Sequence, residues 1–157
     1  MKKRPAFIYL ILVAMTYGVS CTTVDLYEKS VRIPDHAWQS NYKPAFEFQI
    51  RDSVPMYRVF MILRHTDRYN FNNIYVNLYI KGPGQDTAQK VQRELELGNN
   101  EKGWLGRGMD DIYEHRILLA EQNFKPGLYS FTLEQIMREN PLMNVLDAGI
   151  RVEKINP

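Results

Sequence analysis

The sequence has little of the chemistry on which most small catalytic or metal-binding domains depend. Cys21 is the only cysteine among 157 residues, which excludes a disulfide framework and a thiolate metal site. His36, His65 and His115 are far apart in the chain, so no pair has zinc-ligand spacing. Neither a Gly-x-Ser-x-Gly motif nor a Gly-Lys-Ser/Thr phosphate loop occurs, and the adjacent Asp110-Asp111 pair is expected to diverge in a loop. We therefore expect no catalytic residue, no metal, no cofactor and no small-molecule substrate.

The chain also has no excess of charge of one sign once its first residues are set aside. It contains 20 basic and 18 acidic residues, and three of the basic ones lie at positions 2–4. If residues 1–20 are removed, 17 basic residues face 18 acidic ones, and the net charge is about −1. Nucleic acid is therefore not an expected partner.

The one long apolar run is confined to the N-terminus. Lys2, Lys3 and Arg4 precede 12 uncharged, mostly apolar residues, 6–17, and small residues lead to Cys21. This order is typical of an export signal that ends at a lipidation cysteine, and the run is shorter than the roughly 20 residues that a spanning helix needs. We predict that residues 1–20 are a cleaved lipoprotein signal and that Cys21 carries the acyl chains, palmitate among them, that anchor the protein to a membrane.

Two other readings of this segment stay open. Gly18 occupies the position, three before the cysteine, where a lipidation box usually has leucine. The signal could be cut elsewhere, leaving Cys21 an ordinary residue, or residues 5–24 could be retained as a short anchor. Polar residues follow, and we interpret 21–30 as a membrane tether and 31–157 as one folded domain.

Beyond the tether, the pattern is that of short β-strands separated by turns. Apolar and polar residues alternate in several segments, and residues 56–65 form a nearly continuous apolar run that predicts a central strand. Residues 87–97 fit a helix or a strand, and the flanking turn signals favour the strand. Leu133, Ile136 and Met137 fit one face of a short helix, and Trp38 is expected to close one end of the core. We predict an all-β fold, a β-sandwich of immunoglobulin-like or jelly-roll type with one short helix. The strand segments are 31–33, 46–50, 56–65, 74–81, 87–97, 112–119, 128–132 and 148–154.

Two aromatic loops are the candidate binding surfaces. Tyr69 and Phe71 lie among asparagines in residues 66–73, and Trp104 lies in the glycine-rich loop 98–111, which we expect to fold Trp104 and Leu105 back onto the sandwich. Aromatic faces beside amides can stack on sugar rings, so a glycan-binding module is one hypothesis; packing of the two rings beneath the loop is the other.

The chain resembles the GldH-type gliding-motility lipoproteins of the Bacteroidetes through most of its length. The order and spacing of short motifs carry this resemblance. They are Cys21, Pro34-Asp35 with Trp38, Leu63-Arg64 with Thr66, Tyr69, Phe71 and Asn73, Gly103-Trp104-Leu105-Gly106 with Gly108, Asp111-Ile112, Gly127 with Tyr129, Met137-Arg138, and Gly149-Ile150-Arg151-Val152-Glu153.

This resemblance implies a lipid-anchored, non-enzymatic envelope protein that supports gliding and the linked type IX secretion machinery. Cys21 is the functional position that it transfers, as the lipid attachment site. We expect other envelope proteins as partners, with Tyr69, Phe71 and Trp104 as possible partner-binding residues, and an outer-membrane location facing the periplasm. The alternatives are a module that binds peptidoglycan or polysaccharide and, with no nucleophile or paired acid to support it, a hydrolase.

Overall fold

The computed structural model describes residues 26–51 and 56–155, and most of these residues lie in β-strands. The predicted signal, Cys21 and residues 22–25 lie outside the described residues. The strands are β1 (Leu26–Arg32), β2 (Ala37–Trp38), β3 (Ala45–Ile50), β4 (Met56–Thr66), β5 (Asn73–Lys81), β6 (Gln89–Glu96), β7 (Gly98–Asn99), β8 (Gly103–Trp104), β9 (Arg107–Met109), β10 (Ile112–Asn123), β11 (Gly127–Gln135), β12 (Leu142–Met143) and β13 (Val145–Lys154).

Two antiparallel sheets form the body of the domain. The first sheet has the order β1-β13-β4-β10-β9 and the second has the order β3-β11-β5-β6. Two short pairs, β12 with β2 and β7 with β8, lie outside these sheets. The predicted all-β sandwich is confirmed, because each sheet buries one face against the other.

The core lies between the sheets and is filled by alternate residues of their strands. In β4, the odd-numbered residues from Tyr57 to His65 are buried, and Ile62 on the other face is buried as well. This near-continuous burial agrees with its predicted central position, since β4 is the third of five strands in the first sheet. Trp38, predicted to close one end of the core, is fully buried, and its indole donates to the carbonyl of Tyr42.

The strand register gives the sandwich two distinct ends. At the N-terminal end, β1 and β4 begin, β3 and β13 finish, and the turns β5–β6 and β10–β11 lie there. At the opposite end, which we call the distal end, β4 and β11 finish while β5, β10 and β13 begin. The 11 residues of β4 run from one end to the other, a length of about 35 Å.

Two sequence-based predictions are wrong in this part of the chain. Residues 26–30, assigned to the tether, form most of β1 and pair with β13 along their whole length, so they belong to the sandwich. The helix predicted from Leu133, Ile136 and Met137 does not form, because Leu133 is buried in β11 between β3 and β5. The described residues contain one turn of 3-10 helix, Pro34–His36, and no helix of the length and apolarity needed to cross a bilayer.

Candidate functional site

Two buried histidines meet at the distal end of the first sheet. The register of β10 against β4 places Tyr113 opposite His65 and His115 opposite Leu63, so the two imidazoles lie diagonally on the inner face. Their Nε2 atoms are 2.9 Å apart, and the rings stack with centroids 4.9 Å apart. Both histidines are buried, so the contact is shielded from water.

The hydrogen bonds of the pair fix where its protons lie. His65 Nδ1 is 2.7 Å from the carbonyl oxygen of Thr66, which can only accept, so Nδ1 carries a proton. In the neutral state His65 Nε2 is therefore the acceptor, and His115 Nε2–H donates to it. Burial lowers the pKa of His65, and burial together with the nearby His65 lowers the pKa of His115 to about 4. Near neutral pH both rings are uncharged.

Aromatic side chains enclose the histidine pair. The Trp104 ring meets His65 edge-on at a centroid distance of 4.5 Å, and Tyr69 lies 4.9 Å from His65. The Tyr113 ring stacks on His65 at a centroid distance of 5.9 Å, and Phe71 contacts Tyr69 edge-to-face at 5.9 Å. We call these six residues the aromatic–histidine cluster: His65, Tyr69, Phe71, Trp104, Tyr113 and His115.

Tyr69 forms the inner support of the cluster. It is 4% exposed, and its hydroxyl donates to the carbonyl of Asn73 at 3.0 Å, which closes the loop between β4 and β5. Burial, with a smaller contribution from Glu139, raises the pKa of Tyr69, so the phenol stays protonated. Tyr69 therefore positions the loop and does not itself offer a surface to a ligand.

Two glycines let the loop 98–111 lie directly against β10. A Cβ atom on Gly106 would come within 2.6 Å of the Glu114 carbonyl oxygen and 2.8 Å of the His115 ring, and one on Gly108 would touch the Tyr113 ring at 3.0 Å. The prediction that this loop folds back onto the sandwich is confirmed for Trp104. It is wrong for the Leu105 side chain, which is 44% exposed, although the Leu105 amide donates to the Leu97 carbonyl.

The structure thus joins the two aromatic loops that the sequence presented separately. Tyr69, Phe71 and Trp104 belong to one cluster, in which Phe71 and Trp104 are partly exposed. Sequence reasoning placed His65 and His115 in strands but did not bring them together. The sequence contained only part of the information needed to find this pair. The period of two along β10 places Tyr113 and His115 on one face, but the sequence does not indicate which strand pairs with β10.

A second polar arrangement lies on the outer face of the second sheet. The Glu134 carboxylate accepts from Asn77 at 2.9 Å and from Tyr79 at 2.6 Å, and Lys43 forms an ion pair with it at 2.6 Å. Burial acts to raise the pKa of Glu134, but these three donors together lower it to about 2. A carboxylate satisfied in this way is held ionised and is a poor proton donor.

Among residues 26–51 and 56–155, no group of three or more histidine, cysteine, aspartate or glutamate residues is arranged to hold a metal ion. The histidine pair could supply two nitrogen ligands at most, and neutral imidazoles that share a hydrogen bond do not form a closed metal site.

Comparison with solved structures gives a distant likeness. A carbohydrate-binding module specific for non-crystalline cellulose superposes with a TM-score of 0.46 at 10% sequence identity, over 82% of this chain and 73% of the module.

Comparison with other sequences gives a closer relation. The chain is 28% identical to a gliding motility lipoprotein GldH homolog of Christiangramia forsetii, over 96% of this chain and 98% of that protein. It is 26% identical to the gliding motility lipoprotein GldH of Flavobacterium johnsoniae, over 92% of this chain and 94% of that protein. The sequence model of the family described as GldH lipoprotein matches residues 25–152, nearly the whole sandwich. The chain belongs to the GldH lipoprotein family.

Proposed function

We propose that this chain is a lipid-anchored envelope protein that supports gliding motility and the linked type IX secretion machinery by binding other envelope proteins. It works without catalysis of its own and sits at the outer membrane, facing the periplasm, with Cys21 as the acylated residue. The observation that carries the proposal is the position of two partly exposed aromatic residues, Phe71 and Trp104, at the distal end of the sandwich. The strand that follows Cys21, β1, begins at the opposite end. An anchored protein that presents a rigid aromatic patch is suited to capturing neighbours confined to the same surface.

A deletion strain tests the role in the cell. We expect the deletion to reduce both the spreading of colonies and the set of secreted proteins. The wild-type gene should restore both, whereas Cys21→Ala should restore neither, because the unacylated protein is no longer confined to the membrane. The mature mass of each form checks processing, and an unchanged mass for Cys21→Ala would remove the anchor from the proposal. Spreading and secretion unaffected by deletion would contradict the role itself.

Substitutions in the cluster test the partner-binding surface. Phe71→Ala and Trp104→Phe should each lower the recovery of co-purified envelope proteins, by about tenfold if the patch includes a binding hot spot. Tyr69 is left intact because it is buried and its loss would disturb the loop. Leu118→Ala is the matched control, since Leu118 is similarly apolar and exposed but lies on the outer face of the first sheet. Full recovery with Phe71→Ala and Trp104→Phe in folded protein would exclude this surface.

For the glycan-binding alternative, we propose a surface around Tyr75 in place of the 66–73 loop considered from the sequence. Tyr69 is buried and cannot stack on a sugar, but Tyr75 is 37% exposed on the outer face of the second sheet, in the same strand as Asn73 and opposite Glu94. Asn73 donates to Glu94 at 2.7 Å, so amide and carboxylate groups lie beside an accessible ring. Retention by immobilised peptidoglycan that is lost with Tyr75→Ala would favour this function, and absence of retention by the wild type would exclude it.

A further inference from the structure

The segment between the proposed anchor and the sandwich is short. Four residues, 22–25, separate Cys21 from Leu26, where β1 begins. Even a fully extended chain spans at most about 18 Å between the Cα atoms of Cys21 and Leu26. An acylated Cys21 lies at the bilayer surface, so the start of β1 cannot be farther from the bilayer than this. The inference below rests on the proposed anchor at Cys21.

The strand β1 does not lengthen this tether, because it is fixed to both sheets. Every residue from Leu26 to Arg32 is paired with β13, from Glu153 to Asp147. The Tyr27 ring stacks on Phe48 of β3 in the second sheet at a centroid distance of 5.0 Å. The point of attachment is therefore a rigid part of the N-terminal end of the sandwich.

The surface at that end combines apolar and basic groups. Leu128 is 54% exposed near the start of β11, and Met56 is 44% exposed at the start of β4, one in each sheet. The turns and strand ends that surround them carry exposed charged residues, more of them basic than acidic. The exposed basic residues there include Arg51, Lys81 and Lys125, and the described residues of the β5–β6 turn add the acidic Asp86.

We propose that the N-terminal end of the sandwich rests on the bilayer surface, with the strands directed away from it. Leu128 and Met56 would enter the interface between headgroups and acyl chains, where burial of apolar area is favourable. Arg51, Lys81 and Lys125 would lie among anionic headgroups, which attract them electrostatically. The aromatic–histidine cluster would then be held about 30 Å from the bilayer, the length of nine residues of β4.

The sandwich could instead lie with the outer face of its first sheet against the bilayer, but the charges of that face agree less well with this orientation. Its arginines are paired with carboxylates of neighbouring strands, so the face offers no net charge to anionic lipid, and burying it would remove ion pairs from water. The pairs are Arg58–Glu121, Arg64–Asp147, Arg116–Glu153 and Arg151–Glu28.

Site-specific labels on the lipidated full chain can distinguish these orientations. Single cysteines replace Leu128 at the N-terminal end, Leu118 on the outer face of the first sheet, or Met143 at the distal end; all three leucine and methionine side chains are exposed. Each variant is labelled with an environment-sensitive fluorophore and reconstituted into vesicles of phosphatidylethanolamine with a minor share of phosphatidylglycerol. A nitroxide attached to the lipid headgroup then quenches labels that lie near the bilayer.

The expected result is quenching of the Leu128→Cys label that exceeds that of Met143→Cys by about threefold or more, since nitroxide quenching acts over much less than the roughly 30 Å between the two ends. The Leu118→Cys label should be intermediate. Adding Lys81→Glu and Lys125→Glu should weaken the quenching at position 128. Equal quenching of the three labels, or strongest quenching at position 118, would overturn the upright orientation while leaving the anchor in place.

The wild-type chain separates a failure of the anchor from a failure of the orientation. Transfer of a diacylglyceryl group from a donor lipid to the Cys21 sulfur forms a thioether, with loss of the thiol proton and release of the lipid headgroup, so the wild-type lipoprotein should take up no thiol-reactive label. Uptake of one label per wild-type chain would overturn the proposed anchor, and with it the inference. No uptake combined with an unquenched Leu128→Cys label would overturn the orientation alone.

Discussion

Lowering the pH from 7 to about 4 is expected to reduce the free energy of unfolding by about 3 kcal/mol through the His65–His115 pair. Burial depresses the pKa of both histidines below the usual 6.5, and that of His115 to about 4. The unfolded chain therefore binds protons first as the pH falls. The contribution of the pair to stability is complete above about pH 6.5 and is lost between that value and about pH 4.

The residues around the histidine pair oppose its protonation, and this is why stability is lost as the pH falls. The aromatic rings of the cluster contact His65 and offer no charged partner to an added proton. His65 already donates its Nδ1–H to the Thr66 carbonyl. Tyr69 stays neutral, so it supplies no counter-charge. Protonation of both rings would place two positive charges in direct contact, which an apolar cluster opposes.

Denaturant unfolding followed by circular dichroism at several pH values measures the effect. His115→Gln keeps an N–H donor for His65 but cannot titrate, and it should remove most of the decline between pH 6.5 and 4. His36→Asn is the control, because His36 is exposed and has a positive φ of 54° that asparagine tolerates. A decline that is the same in the wild type and in His115→Gln would show that other groups are responsible.

The histidine pair also shows why the site was beyond the reach of the sequence. His65 and His115 are 50 residues apart and meet only through the register of β10 on β4, which includes an irregularity between Leu118 and Ala120. Period-two alternation tells which residues of a strand share a face, but not which strand lies beside it. The central position of β4 was predictable, because a continuous apolar run indicates burial on both faces whichever strands lie beside it.

The wrong helix at residues 133–137 has a specific physical cause. The strand β11 continues its alternation through Phe131, Leu133 and Gln135, all buried, but Gln135 is polar and so hides the period of two. Its amide donates to the Trp38 carbonyl at 3.1 Å and its oxygen accepts from the Met137 amide at 2.8 Å. A buried glutamine with both groups satisfied is compatible with a strand, and the sequence alone does not reveal those partners.

Gly149→Val is expected to destabilise the domain by about 3 kcal/mol, although valine favours strands more than glycine does. Gly149 lies opposite Ser30 in the pairing of β13 with β1. A Cβ atom there would overlap Ser30 Oγ and come within 2.7 Å of the Lys29 carbonyl oxygen and 2.9 Å of Ser30 Cα. Two of these atoms are backbone, so β1 must move away.

Movement of β1 away from β13 would also change how far the sandwich can lie from the membrane. If β1 separates, the segment between Cys21 and the sandwich grows from five to twelve residue steps and reaches about 40 Å, so the sandwich is no longer held at the bilayer. Amides of Leu26–Arg32 should lose hydrogen-exchange protection in Gly149→Val while those of β11 keep it. Gly84→Ala, where no atom lies within 4 Å and the positive φ costs about 1 kcal/mol, is the control for loss of a glycine. Unchanged protection of β1 in Gly149→Val would mean that the edge strand tolerates the added side chain, and that the close approach of Gly149 to β1 is not what joins the anchor segment to the fold.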